Sequence, residues 1–306
     1  MIRNLKNFRS RLIFRLIRNG RLNKLSDEKF LKIKYWASMD HKHLNLKNPQ
    51  TYNEKLQWLK LYDRNPLYTT LADKYKMKEW VSEKIGEEYV VPLLGVWDKA
   101  EDIDFDKLPN QFVLKCNHNS GLGMVICKDK SKLNIVEVKK NLSKGLRQDY
   151  FYYSREWPYK NIVKKIIAEQ FLCNNTEDQN DSLIDYKFFC FDGQPKIMYI
   201  SKDNSSAPKT DFFDMEFNHL NLRMKDENSE ILPEKPRKFE KMKELASKLS
   251  HGIPHVRVDF YCVNEQLYVG EMTFFHNGGF SKINPINWNN IMGDWIDLSK
   301  AYCYRK

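Results

Sequence analysis

Apolar side chains recur at three- and four-residue spacing over most of the first ninety residues, then largely at alternate positions, so the sequence predicts helices followed by sheet. Leu5, Phe8, Leu12, Ile13, Leu16 and Ile17 form the first helical stripe. From Ser26 to about Tyr68 the pattern stays helical: Ser26-Asp27-Glu28 begins one helix, and Thr51-Tyr52-Asn53-Glu54 makes a capping box for the next. Leu56, Trp58, Leu59 and Leu61 are the core positions of that second helix. A further helix is expected over 71–89, and strands over 90–97, 112–115 and 124–127. Residues 134–165 return to helix, with an aromatic, irregular interruption at 150–158. Strands follow at 166–172 and 185–191, and Asp192-Gly193 is a turn signal into a strand at 196–200. The polar, proline-bearing stretch 201–236 reads as a long excursion over the functional site, and a helix over 236–250 leads into the strongest strand pattern, 255–273. The whole is an α+β pattern with antiparallel pairing.

Composition narrows this picture. The 306 residues are 42% hydrophobic and 13% aromatic, enough to bury a core, and no apolar run approaches the length of a membrane-spanning helix. The formal charge of +11 is concentrated at one end: residues 1–24 carry eight basic side chains and no acid. Combined with the apolar stripe, this basic tail can lie on an anionic membrane surface or pack on the main domain. No nucleic-acid-binding module follows it. The six cysteines form no C-x-x-C pair and no zinc or disulfide spacing, so they read as reduced and mostly buried, which predicts a cytoplasmic location. No secretory signal pattern is visible at the start.

The candidate chemistry lies in two segments. In Val256-Arg257-Val258-Asp259-Phe260, Arg257 and Asp259 share one strand face, and the partner strand of the hairpin carries Glu271. A two-residue turn would pair Glu271 with Val258 and put the acids on opposite faces; convergence requires an odd loop or a bulge. If they converge, two carboxylates suit Mg²⁺ beside an arginine that can hold a phosphoryl or carboxylate group; otherwise the set is a buried ion pair. In Phe112-Val113-Leu114-Lys115-Cys116-Asn117-His118-Asn119-Ser120-Gly121, a lysine ends an apolar strand before a small-residue loop able to cradle phosphate, though an ordinary hairpin would look the same. His118 reads as a loop hydrogen-bonder. Asp102-x-Asp104 and Asp104-x-Asp106 match the D-x-D metal pattern of nucleotide-sugar glycosyltransferases, or a solvated acidic loop.

Taken in order, Thr51–Lys60, Ala72-Asp73-Lys74-Tyr75, Phe112–Lys115 with its loop, Ala168-Glu169-Gln170-Phe171-Leu172, Asp185–Phe189, Val256–Phe260, Gly270-Glu271-Met272-Thr273 and Gly293-Asp294-Trp295 resemble the TupA-like ATP-grasp family. The resemblance runs from about residue 30 to 300 and leaves out the basic tail. It implies an α+β ATP-grasp fold: a tail at 1–25, a helical segment at 26–70, an N-lobe at 71–165 and a C-lobe at 166–306, gripping ATP between antiparallel sheets. It further implies that Lys74 and Lys115 contact phosphates, that Asn119, Ser120 and Gly121 close over them, and that Glu169, Gln170, Phe171 and Leu172 form the hinge that meets adenine. Lys187 would join the nucleotide site. Asp259 and Glu271 would hold Mg²⁺, with Arg257 orienting the acceptor. Where the family often has Glu-x-Asn, this chain has Glu271-Met272-Thr273, so Thr273 or Asn277 would supply the further oxygen. The implied activity is amide formation between an acid, a uronic acid of a bacterial surface glycan, and an amine. A nucleotide-sugar glycosyltransferase using Asp104, and a membrane-docked protein without catalysis, are the competing readings.

Overall fold

The computed structural model describes residues 2–174, 183–202 and 208–304. Helix α1 (Ile2–Arg18) is followed by α2 (Asp27–Ser38), whose N-terminus is capped by the Ser26 hydroxyl accepting from the Lys29 amide. In α3 (Tyr52–Tyr62) Thr51 and Glu54 form the reciprocal capping box that the sequence encodes. The expected helix at 71–89 is two helices, α4 (Leu67–Ala72) and α5 (Lys76–Ile85). The Asp73 carboxylate accepts from the amides of Tyr75 and Lys76, capping α5 afresh and leaving Lys74 on the corner between them.

Next come β1 (Leu93–Trp97), β2 (Phe112–Cys116), β3 (Val125–Cys127), α6 (Ile135–Leu146), the short α7 (Phe151–Ser154) and β4 (Ile166–Gln170). These four strands form one antiparallel sheet in the order β1-β4-β2-β3. The remainder is β5 (Ile184–Phe191), β6 (Gln194–Lys202), β7 (Lys209–Asp214), β8 (His219–Leu220), α8 (Phe239–Ser250), β9 (Val256–Val263), β10 (Gln266–Thr273) and α9 (Asn287–Asp294). Its strands form a six-stranded antiparallel sheet, β10-β9-β5-β6-β7-β8. The β5–β6 turn is Asp192-Gly193, both at positive φ, closed by the Phe191–Gln194 pair.

Strand β4 lies between β1 and β2, so the smaller sheet ends after Gln170 and not before Ile166. Leu56, Tyr68, Met77 and Val81 from α3–α5 share one core with Phe188, Val258, Phe260 and α8, so these helices pack on the larger sheet. The 201–236 segment, expected as an excursion, contributes β7 and β8 to that sheet, and Met224 and Lys225 from it reach the site cavity; positions 203–207 lie outside the described residues.

Helix α1 packs on α2 through Ile17 and Ser10, with Ile13 partly covered. Its opposite face leaves Phe8 64% and Leu12 46% exposed among Arg9, Arg11, Arg15 and Arg18; the side chains of Arg3, Leu5 and Lys6 lie outside the description. Among the described residues no helix is long and apolar enough to cross a membrane. Cys116, Cys127 and Cys190 are buried, whereas Cys173 is exposed.

Candidate active site

The β9–β10 hairpin builds the site by a change of register. Val256, Val258 and Phe260 point into the core at zero exposure, which sends Arg257 and Asp259 to the opposite face. The turn has two residues, Asn264 and Glu265, closed by the Val263–Gln266 pair. Continued unbroken, that ladder would put Glu271 opposite Val258. The register instead shifts between Val269 and Glu271, with Gly270 as the extra residue, so Glu271 lies opposite Asp259 and Thr273 opposite Arg257. Gly270 also admits the Tyr261 ring: a Cβ there would stand 2.8 Å from Tyr261 Cε2. The bulge that convergence requires is present.

Strand β5 adds Lys187 opposite Asp259, with Asp185 two residues away on the same face, and β6 adds Tyr199 opposite Lys187. Arg257 grips Asp259 in two parallel bonds, Nε to Oδ1 at 2.7 Å and Nη2 to Oδ2 at 2.6 Å. The same Nη2 reaches Glu271 Oε1 and Thr273 Oγ1, both at 3.1 Å. Lys187 Nζ lies 3.0 Å from Asp259 Oδ2 and 3.1 Å from Asp185 Oδ1. Burial opposes ionisation of Glu271, but Lys74, Arg257 and Lys187 outweigh it and hold the carboxyl well below the usual range. Burial alone would also lower Lys187; Asp259 and Asp185 reverse this and raise it. Arg257 Nη1 donates to His276 Nδ1 at 2.6 Å, and because arginine can only donate, that imidazole accepts at Nδ1. Burial, then the charges of Arg257 and Lys187, push His276 well below its ordinary value, so it is neutral.

The smaller sheet brings a second cluster. Lys115 on β2 and Lys78 on α5 bind the two oxygens of Glu169 on β4 at 2.6 and 2.8 Å. Burial would raise Glu169, and the two lysines overcome it and keep the carboxyl below its ordinary value. Lys74 joins the clusters. Its amide donates to Asn117 O, the Asn117 carboxamide donates to Asp73, and Lys74 Nζ lies 2.9 Å from Asn119 O and 3.5 Å from Glu271 Oε2.

A cavity of about 750 Å³ opens over the larger sheet. Of the residues singled out from the sequence, Lys74, Ser120, Lys187, Arg257, Glu271, Thr273 and Asn277 line it. Asp259 lies beneath Arg257 at 1% exposure. Lys115 and Glu169 stand apart from this cavity. The Asn119 carboxamide bonds Leu122 O and Gly145 O inside its own loop, and Gly121 has open space around it. Gln170 and Phe171 line a separate hollow of about 500 Å³ with Leu94 and Asn110, and Leu172 follows beyond the strand end. A larger cavity, about 990 Å³, is lined by Lys78, Glu79, Trp80, Glu83, Val91 and Pro92, and neither Asp259 nor Glu271 lines it. His118 is buried and donates at Nε2 to Gln148 O, and burial lowers it to about 4. Asp102, Asp104 and Asp106 are exposed, and Asp104 pairs with Lys107.

Glu271 and Thr273 present oxygen donors to the cavity, and Asp259 lies opposite Glu271 within the fork of Arg257; these are the donor type that Mg²⁺ takes. Among the described residues no group of three or more His, Cys, Asp and Glu is placed to hold a metal. Magnesium needs no such cage: one or two carboxylates with nucleotide phosphates suffice, and this set fits that use. Asn277 donates to Ser281 Oγ at 2.7 Å and contacts His276. Several site residues escaped the sequence reading. Lys78 stands one helical turn after Lys74, and Asp185 two residues before Lys187 on a strand, so both had a local signal. Tyr199, His276 and Glu156 had none, because distant strand register and a loop place them.

Comparison with known proteins adds the following. A D-alanine–D-alanine ligase from Bacillus anthracis, solved with ATP, superposes with a TM-score of 0.39 at 17% identity, over 67% of this chain and 54% of that one. The corresponding ligase from Helicobacter pylori gives 0.44 at 14% identity, over 84% and 68%. N5-carboxyaminoimidazole ribonucleotide synthetase from Thermus thermophilus gives 0.39 at 12%, over 80% and 52%. The chain thus spans about half the length of the first of these. Among curated proteins none matches the sequence. The TupA-like ATPgrasp family profile matches residues 54–297, about four fifths of the chain, from the start of α3 through α9. On that match, and with two antiparallel sheets meeting at Lys74, the chain belongs to the TupA-like ATPgrasp family.

Proposed function

We propose that this chain is a Mg-ATP-dependent carboxylate–amine ligase working through an acyl phosphate, acting in the cytoplasm on a uronic acid of a bacterial surface polysaccharide with an amino acid or similar amine. The observation that carries the proposal is the bulge at Gly270, which sets Glu271 against Asp259 beneath Arg257 in a lysine-lined cavity. Magnesium bound by Asp259 and Glu271 would neutralise phosphate charge. Lys74 and Lys187 stand where they can bind phosphate oxygens on either side of the acids, and Arg257 can hold the acid substrate or the moving phosphoryl group by its fork. Lys115 and Glu169 on the smaller sheet, with Lys78 from α5, form a second charge set suited to the inner phosphates. The acid's carboxylate attacks the terminal phosphorus, ADP leaves, and the amine displaces phosphate from the acyl carbon. Excluding water from the acyl phosphate requires the cavity to be filled by the two substrates and the nucleotide.

The test uses purified protein, Mg²⁺ with ATP, ADP or UDP-sugars, and hydroxylamine as a trap for acyl phosphate. A ligand that binds the folded state raises the melting temperature, by about 2.7 kcal/mol of stabilisation at a hundredfold excess over Kd. Expected are stabilisation by Mg-ATP and hydroxamate formation from uronic acid oligomers. Stabilisation by UDP-sugars alone would overturn the ligase reading and turn attention to Asp104.

The outward face of α1, with Phe8 and Leu12 among four arginines, suits an anionic bilayer. The chain should therefore sediment with vesicles rich in phosphatidylglycerol and not with phosphatidylcholine vesicles. Equal behaviour with both would remove the membrane from the proposal.

A further inference from the structure

Two acids line the cavity, and they differ in one respect. Glu271 is committed to Lys74, Arg257 and Thr273. Glu156, 4% exposed, forms no side-chain hydrogen bond or ion pair within the described residues. It follows Arg155, whose left-handed backbone turns the chain after α7 and brings Glu156 to the cavity wall.

The groups that face Glu156 come from four elements. Lys60 on α3 and Lys34 on α2 are the cations that act on it, and Glu271 on β10 is the opposing like charge. Tyr150 and Tyr159 complete the wall, both held as neutral phenols by burial and then by Glu156 itself. Neither lysine turns its protons to Glu156. Lys34 donates to Tyr153 O and Ser154 Oγ, both at 2.7 Å, and Lys60 donates to Gln57, Ser154 O and Gly278 O. A buried carboxylate left without a donor, opening on a cavity, has the character of a binding site for a cation that can donate hydrogen bonds. Burial raises its proton affinity against the opposing pull of the two lysines.

We propose that Glu156 binds the ammonium group of the amine substrate and takes its proton before amide formation. The assignment rests on the ligase reading above. In the step, R–NH₃⁺ gives one proton to the Glu156 carboxylate, and the freed nitrogen lone pair forms the C–N bond at the acyl carbon. The C–O bond to phosphate breaks, phosphate leaves with its electron pair, and the second proton lost by nitrogen goes to that phosphate. Among the described cavity-lining groups the rival base is Lys34, whose amine burial lowers to about 8, and its Nζ is engaged by Tyr153 O and Ser154 Oγ. The tyrosines are phenols, His276 is tied to Arg257, and Glu271 is ion-paired.

The test is Glu156→Gln in the full chain with Mg-ATP, glucuronic acid oligomers and either a mixture of amino acids or hydroxylamine. Hydroxylamine is largely unprotonated at pH 7 and needs no base. Amide formation should fall by about a hundredfold, with the acid limb of its pH profile abolished, while hydroxamate formation falls less than about threefold. Equal losses in both assays, or an acid limb that persists in Glu156→Gln, overturn the assignment and leave Glu156 a structural acid. Should Glu156→Gln fail to fold, Glu156→Asp decides by the same ratio of amide to hydroxamate. If the parent chain forms no hydroxamate, the ligase reading itself falls, and this assignment with it.

Discussion

Asp259→Asn is expected to reduce ATP turnover by about a thousandfold, the scale of removing a preorganised electrostatic partner at a phosphoryl-transfer centre. Asparagine keeps the shape and one carbonyl oxygen but removes the charge that Arg257 grips twice and that Lys187 meets at 3.0 Å. Two effects should then separate. Mg-ATP should no longer raise the melting temperature, because one of the two facing carboxylates is gone. The apo protein should also be weaker by about 3 kcal/mol, since Arg257 and Lys187 are left in a buried site with one carboxylate fewer. Turnover measured well below the melting temperature distinguishes the chemical loss from unfolding. An Asp259→Asn protein with undiminished turnover would remove Asp259 from the metal site.

Lys60→Met should destabilise the fold by about 4 kcal/mol without touching a phosphate-binding group. Lys60 is fully buried, and its Nζ donates to Gln57 Oε1 at 3.0 Å, Ser154 O at 2.9 Å and Gly278 O at 2.5 Å. Burial pushes this amine down to about 7, against the pull of Glu156. Three carbonyl acceptors around one nitrogen nevertheless call for three N–H donors, which only the ammonium provides. Methionine fills the volume and strands Gln57 Oε1 and Ser154 O, and leaves Gly278 O, on the loop that follows β10, with only the long bond from Gln57 Nε2 at 3.3 Å. Urea unfolding of the variant reads the cost directly. A change under about 1 kcal/mol would mean that water or a rearranged loop satisfies those oxygens.

What the sequence disclosed follows from which interactions are local. The capping box at Thr51 and Glu54 and the Asp192-Gly193 turn are fixed by neighbours within four residues, and the structure has them where the pattern put them. Alternation at 256–260 assigned Arg257 and Asp259 to one face. The bulge was legible only as a condition: the pattern of the hairpin said that one was needed, while Gly270 and the Tyr261 ring beside it, which admit the bulge, became visible through the fold. Asp73 stands near the start of the helix expected from Leu71, where a capping aspartate is a local signal; the separate short helix Leu67–Ala72 before it carries no such mark. The pairing of β4 with β1 and β2 joins distant segments and leaves no periodic trace in the sequence. Glu156 lay in a stretch that read as irregular, and its loop is held by Lys34 and Lys60 from helices about a hundred residues earlier in the chain.

Arg155 has a consequence for how the N-terminal extension can drift in sequence. Its guanidinium Nη2 donates to the carbonyl oxygens of Leu22, Asn23 and Leu25, and Nε faces Asp27 at 3.4 Å. Carbonyl oxygens are the same on every residue, so this clamp reads the course of the backbone and not the identity of what it holds. Leu22 and Leu25 also pack against the small cluster around Phe30 and Leu31 and are constrained by that contact. From Asn23 the clamp asks only for the backbone path. Across related chains, then, this junction can tolerate exchange of side chains far more readily than a gain or loss of one residue, which would carry the carbonyls out of reach of the arginine.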